Sequence, residues 1–289
     1  MDNLLDLSEK IDPLSAALFT SVSETAGSLD IAFFVVGATA RDMIFELGHG
    51  RPSGRATLDR DFGVRVESWA EFGKLKESLL TSGLFKETRD VHRLRFQGGL
   101  DVDIVPFGGV ADNEGAIRWP PGEDVVMSAV GFEDAYRAAQ RVRVKASPPL
   151  DILVASIPGL TILKLISWAD RRHARSKDAL DLAFILEHYL DAGNIDRLYE
   201  EHLDLVDAEG SDYERAGARL LGRDIAKIAA PETMQRFREI LAKETSEEGR
   251  HSLLIPGMIP RGSVFDEESG NRFNQLLALL LALLRGIDD

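Results

Sequence analysis

The chain has 289 residues, 44% hydrophobic and 28% charged, ordinary for a soluble globular protein and enough for two packed domains or one large one. Having no cysteine, it has no disulfide, thiolate metal site or cysteine nucleophile, which fits a reducing, cytoplasmic setting. A formal net charge of −14 argues against broad, non-specific nucleic-acid binding while leaving room for a locally basic groove.

Met1-Asp2-Asn3 opens on an acid with no apolar stretch behind it, so no signal peptide is expected. The longest apolar run, Leu276 to Leu284, is about half of what a bilayer span needs, so no membrane partner is expected. Residues 8 to 28 read as an amphipathic helix, with Leu14, Leu18 and Val22 at four-residue spacing. The apolar run 31 to 36 reads as a buried strand, and Ala38 to Leu47 as the helix after it. Gly48 to Ala56 is glycine-rich and reads as a loop. Asp61 to Val66 returns to strand, with Phe62, Val64 and Val66 on one face. Ser68 is the expected N-cap of a helix over Trp69 to Leu80, with Glu71 completing a capping box. Val91 to Phe96 and Leu100 to Val105, joined by Gln97-Gly98-Gly99, read as a hairpin.

The first domain is expected to close near Pro148-Pro149, giving domains 1–148 and 149–289. Beyond that point helices are expected over Leu160–Asp170, Asp178–Leu190, Asp212–Ala229, Pro231–Lys243 and Arg272–Arg285. Leu253 to Gly262, with two prolines and two glycines, reads as an exposed loop.

Chemistry concentrates in the first domain. Asp59 and Asp61, two residues apart on a strand, point to one face and can converge on a hard cation, whereas Arg60 and Phe62 face the other way. Mg²⁺ takes oxygen ligands and is usually shared between a few carboxylates and substrate phosphates. A lone Asp-x-Asp is more often a solvated strand end, and Asp101-Val102-Asp103 repeats the pattern in this same chain. What changes the weighing is context. Two-metal phosphoryl or nucleotidyl transfer needs a third carboxylate, which either Asp101 or Asp103 could supply. Asp103 is preferred, because it directly precedes Ile104-Val105-Pro106-Phe107, deeper in the strand. Upstream, Val36-Gly37-Ala38 ends a strand and opens a helix, where free N–H groups attract phosphate. Gly37 would admit the triphosphate to the backbone, the Thr39 hydroxyl would add a donor, and Arg41 would reach a phosphate or brace the metal site through Asp42.

This set resembles the DNA polymerase beta-like nucleotidyltransferase superfamily: a strand, a Gly-Gly or Gly-Ser turn, an Asp-x-Asp or Asp-x-Glu pair, and a later aspartate. Gly37-Ala38 stands here in place of Gly-Gly or Gly-Ser. The resemblance implies an α/β (α+β) catalytic domain on a short mixed sheet, followed by a helical domain forming the far wall of a cleft.

A second block is basic. Lys164 and Arg171, seven apart, share a helix face, and residues 171 to 177 hold three arginines, a lysine and a histidine without an acid. The block reads equally as an anion-binding face or as a solvated one, with Lys177 and Asp181 a plain i,i+4 pair. Lys164, Arg171 and then Lys177-Asp178-Ala179-Leu180-Asp181-Leu182 are similar to the second motif block of AbiEii/AbiGii-type nucleotidyltransferases, the toxin halves of toxin–antitoxin and phage-defence systems. By that resemblance Lys164 would hold the triphosphate, Lys177 or Arg171 would assist, and Asp178 and Asp181 would orient the basic groups. The resemblance also implies a nucleoside triphosphate as substrate, Mg²⁺ at Asp59, Asp61 and Asp103, a tRNA or protein acceptor, and a cognate antitoxin. The alternatives are a small-molecule, antibiotic-type nucleotidyltransferase, whose acidic surface would suit a cationic acceptor, and a non-catalytic binding or regulatory protein on the same scaffold.

Overall fold

A computed structural model describes residues 4–55, 59–123, 125–170, 176–246, 252–260 and 267–289. Thr57 and Leu58, and the arginines expected at 171 and 172, lie outside the described residues. The chain forms two compact units, Met1–Ser156 and Ile157–Asp289.

In the first unit, β1 (Leu5–Asp6) precedes α1 (Pro13–Ser28) and β2 (Ala32–Val36). Helix α1 starts later than its apolar spacing suggests, because Asp12 caps it by accepting from the Leu14 and Ser15 N–H groups and Pro13 occupies the first turn. From β2 the chain enters α2 (Gly37–Asp42), which continues as a π-helical turn over Met43–Gly48. Then come β3 (Asp59–Val66), α3 (Trp69–Thr81), β4 (Phe85–Glu87), β5 (Arg93–Phe96) and β6 (Asp101–Gly108). Ser68 caps α3 through the Glu71 N–H, but the Glu71 carboxylate accepts from Glu67, not from Ser68, so the capping box is offset by one residue. The ribbon β7 (Ala116–Arg118) and β8 (Val126–Ser128), α4 (Phe132–Arg137), β9 (Gln140–Lys145) and β10 (Leu150–Val154) complete the unit.

Among the described residues, eight strands form one mixed sheet in the order β1-β9-β10-β2-β3-β6-β5-β4. It is wider than the short sheet expected, because β1, β9 and β10 extend it on one side and β4 on the other. Since β10 is hydrogen-bonded to β9 and β2, the residue-148 boundary expected from sequence falls inside the β9–β10 connection. Strands β2 and β3 pair antiparallel, whereas β3 and β6 run parallel in unbroken register. Both faces of the sheet are covered at its centre. On one, Phe62 meets Phe19 of α1 at 6.1 Å between ring centroids; on the other, Phe34 and Phe107 pack on Phe132 of α4. The first residues of β3 and β6 run beyond this double cover. There the alternation of the strand sends acidic side chains out on the Phe34 face instead of apolar ones inward.

The second unit is helical: α5 (Ile157–Asp170), α6 (Ser176–His188), α7 (Ile195–Glu201), α8 (Leu203–Ala208), α9 (Tyr213–Ile228), α10 (Pro231–Thr245), α11 (Leu254–Met258) and α12 (Glu267–Asp288). Helix α11 corrects the exposed loop expected from residue 253 onward: Leu254, Ile255 and Met258 are fully buried. The cause is Glu244, whose carboxylate accepts from the Leu253 and Leu254 N–H groups and the Ser252 hydroxyl, satisfying the start of the helix in the interior. No helix among the described residues is long and apolar enough to cross a membrane.

Candidate active site

Parallel pairing of β3 with β6 sets Asp59 beside Asp101 and Asp61 beside Asp103, and the strand period of two puts all four side chains on one face. The hairpin then adds β5, with Arg93 opposite Asp103 and Arg95 opposite Asp101. Six charged side chains therefore share one patch of sheet.

Within it the carboxylates divide. Asp59, Asp61 and Asp103 each present an oxygen, all within 4.8 Å of one another, a spacing suited to a hard cation. Asp101 pairs with Arg95 instead: Arg95 Nε donates to it at 2.8 Å and holds its carboxyl below the usual carboxylate range. The two candidates for third carboxylate are thus in different company, Asp103 with the pair on β3 and Asp101 with Arg95. Asp103 is the more sheltered of the cluster's ends, its side chain 13% exposed against 40% for Asp59.

Gly37 abuts this cluster. It has φ +67°, and a Cβ there would lie 2.0 Å from Asp61 Oδ2. Ala38 follows in the first turn of α2. The Thr39 hydroxyl donates to the Asp59 carbonyl at 3.1 Å, which commits its hydrogen to the start of β3. Arg41 is buried and turned onto its neighbour, its Nε and Nη2 donating to Asp42 Oδ1 at 2.8 and 2.6 Å.

Arg93 was not singled out by its sequence context. Its Nε donates to Asp103 Oδ1 at 2.6 Å and its Nη2 to Asp103 Oδ2 at 2.7 Å, a two-pronged fork, while Nη2 also stands 3.5 Å from Asp59 Oδ2. The hydrogen bonds to Asp103 raise the guanidinium pKa above its ordinary value, with Asp59 and Asp101 adding to the shift against a smaller opposing effect of burial. The signal was present in the hairpin: counting outward from Gly98 at its centre pairs residue 93 with residue 103.

In the second unit, Lys164 of α5 sits between two carboxylates of α6. Its Nζ donates to Asp178 Oδ1 at 2.9 Å and lies 2.7 Å from Asp181 Oδ2, and all three side chains are buried. Burial alone would lower the lysine pKa; the two carboxylates outweigh it and raise it above the ordinary value. Asp178 and Asp181 thus orient the lysine, and the group is a buried triad within one helix pair. Lys177, one residue before Asp178, is exposed. Arg171 lies outside the described residues.

No curated protein sequence matches the chain. Among solved structures, it is similar to an antigenic nucleotidyltransferase-like protein from Paracoccidioides brasiliensis, at 16% identity and a TM-score of 0.39 over 68% of this chain and 93% of that one. It is similar to the antibiotic-resistance factor ANT(2'')-Ia at 12% identity and a TM-score of 0.37, over 83% of this chain and all of the other. A Thermotoga maritima CCA-adding enzyme, complexed with tRNA, aligns at 14% identity and a TM-score of 0.30 over 98% of this chain and 85% of its own. The model of the family described as nucleotidyl transferase AbiEii toxin, type IV TA system, matches residues 23–262, a span that holds Gly37, the three carboxylates and the lysine triad. With most of its length inside that match, the chain belongs to the AbiEii nucleotidyltransferase toxin family.

Proposed function

We propose that the protein transfers a nucleoside monophosphate from a nucleoside triphosphate to an acceptor hydroxyl, releasing pyrophosphate, with Asp59, Asp61 and Asp103 holding Mg²⁺. The observation that carries this reading is the convergence of three carboxylate oxygens within 4.8 Å on two adjacent parallel strands. The donor set fits the ion: three hard oxygen ligands, with the approach to Asp61 kept clear by the missing side chain at residue 37. Bound there, Mg²⁺ would neutralise triphosphate charge and lower the pKa of the acceptor hydroxyl.

The protein's own residues do the positioning. Asp59 and Asp61 hold the triphosphate side of the site, and Asp103 aligns the attacking hydroxyl. The start of α2 at Gly37 and Ala38 offers backbone N–H groups to phosphate oxygens. Thr39 fixes the first residue of β3 so that the Asp59 side chain projects on the same face as Asp61. Arg41 braces the α2 turn through Asp42. In the second unit, Asp178 and Asp181 hold and neutralise Lys164, so that triad is assigned to its own helix pair and not to the triphosphate. The acceptor is a hydroxyl of tRNA or of a protein, and a cognate antitoxin is the regulatory partner.

A panel of nucleoside triphosphates labelled at the α-phosphate, incubated with the protein and either total RNA or cell lysate, tests this directly. The label should pass to a macromolecule in the presence of Mg²⁺, and Asp61→Ala should abolish the transfer with the fold intact. Near-wild-type transfer by Asp61→Ala would end the active-site assignment.

A further inference from the structure

Arg93 lies among the carboxylates of the proposed metal site, yet nothing in the proposed reaction assigns it a role. Its guanidinium occupies both oxygens of Asp103, at 2.6 and 2.7 Å, and reaches Asp59 Oδ2 at 3.5 Å and Asp101 Oδ2 at 3.8 Å. Without a cation, carboxylates this crowded repel one another, and one guanidinium bridging several of them relieves much of that repulsion. Arg93 Nη2 stands between Asp103 Oδ2 and Asp59 Oδ2, the gap that a cation shared by these carboxylates would fill, so the fork and a bridging cation compete for the same space.

We propose that Arg93 is the resident counter-cation of the third carboxylate and that a divalent cation engages Asp103 only by displacing it. Arg93 is then a positioning residue. It keeps Asp103 aligned in the unloaded protein, and it sets an order of loading, in which an ion held by Asp59 and Asp61 precedes one that needs Asp103. The local structure suits this exchange. The Arg93 backbone is pinned, its N–H bound to the Asp90 carbonyl and its own carbonyl accepting from the Thr88 hydroxyl at 2.9 Å. The side chain is 27% exposed, so it can turn out to solvent without disturbing β5. Arg95, two residues further along β5 toward the turn and on the same face, stays with Asp101 and leaves that carboxylate outside the exchange.

The inference rests on the proposed metal site, and the test separates the two. Calorimetric titration of the nucleotide-free, full-length protein with Mn²⁺ reads binding without any turnover. Arg93→Gln should bind Mn²⁺ about fivefold or more tightly than wild type, the scale of one charge-assisted pair removed as a competitor. The gain should vanish when Asp103→Asn is added. Arg93→Lys separates displacement from simple charge repulsion, since it keeps the charge but cannot fork: it too should gain affinity. It also carries the comparison by itself should Arg93→Gln fail to fold by circular dichroism. Unchanged or weaker binding in Arg93→Gln, or a gain there with none in Arg93→Lys, overturns the proposal. Unaltered Mn²⁺ binding in Asp61→Asn would instead overturn the metal site, and the proposal with it.

Discussion

Gly37 meets two demands that no other residue satisfies together. Its φ of +67° is strained for any residue with a Cβ, and that Cβ would fall 2.0 Å from an oxygen of Asp61. The backbone strain alone is worth about 1–2 kcal/mol, which a chain this size tolerates. The second demand bears on function, because the carboxylate must turn away to make room. Gly37→Ala should therefore melt only slightly below wild type while losing transfer by about tenfold or more, equivalent to about 1.4 kcal/mol or more of transition-state stabilisation. Thermal melting and initial-rate assays on one preparation check this, and a variant with full activity would remove Gly37 from the site. From sequence the glycine suggested room for phosphate. In the structure the group it visibly makes room for is a carboxylate of its own chain, a contact between the start of α2 and β3 that spacing along one strand does not reveal. That Asp59 and Asp61 share a face was legible because strand alternation is local; alternation left Asp101 and Asp103 equivalent, and it is their different arginine partners on β5 that set them apart. Arg93 was missed because its partner lies across a hairpin, although the turn already fixed the register.

At the level of elements, legibility followed length and periodicity. The 16-residue helices α1 and α9 carry their apolar stripes over four turns and were readable, as were β2, β3 and the β5–β6 hairpin. Short pieces were not. Strands β1, β4, β7 and β8 run two or three residues each, too few for alternation to show, and their place is set by neighbours in the sheet. At the α9–α12 crossing a Cβ on Gly222 would lie 2.3 Å from the Leu283 carbonyl, and one on Gly286 would lie 1.9 Å from the Arg219 carbonyl. The two glycines let the helix backbones touch, with rigid main chain on both sides. Gly286→Ala should thus push α9 and α12 apart and destabilise the second unit by about 3 kcal/mol or more, at the upper end of overpacking costs. Urea unfolding monitored by far-UV circular dichroism reads this, and a midpoint within error of wild type would show that the helices part at little cost.

At the scale of the whole chain, the formal charge of −14 sets long-range repulsion against many locally paired carboxylates. The repulsion is diffuse and screened over about 8 Å at physiological salt; the pairs are in contact, so they dominate the response to acid. In the first unit Asp101 and Asp151 are held below the ordinary carboxylate range chiefly by hydrogen bonds from Arg95 and Arg143. In the second, Arg219 and Arg223 act in the same way on Asp289 and Asp204 respectively. Glu209 is the extreme case. Its side chain is 0% exposed, and burial would raise its pKa, but hydrogen bonds from Arg285 and Arg215 outweigh that and lower it. A carboxylate whose folded pKa lies below its unfolded value adds stability that is fully present above the unfolded value, about 4.3 for glutamate. That stability is lost as pH falls through the folded pKa. Glu209→Gln removes the charge at every pH and leaves Arg215, Arg219 and Arg285 without their shared partner. Those arginines keep some contact with solvent, so the cost at pH 7 should be roughly 3 kcal/mol, the lower end for breaking a buried pair. The gap in melting temperature between wild type and variant should hold from pH 7 to about 5 and narrow below about pH 4, as the wild type loses what the variant never had. Calorimetric scans at half-unit pH steps measure it. A gap that stays constant down to pH 3 would mean that Glu209 serves as a hydrogen-bond acceptor in either protonation state and that its charge contributes nothing to the fold.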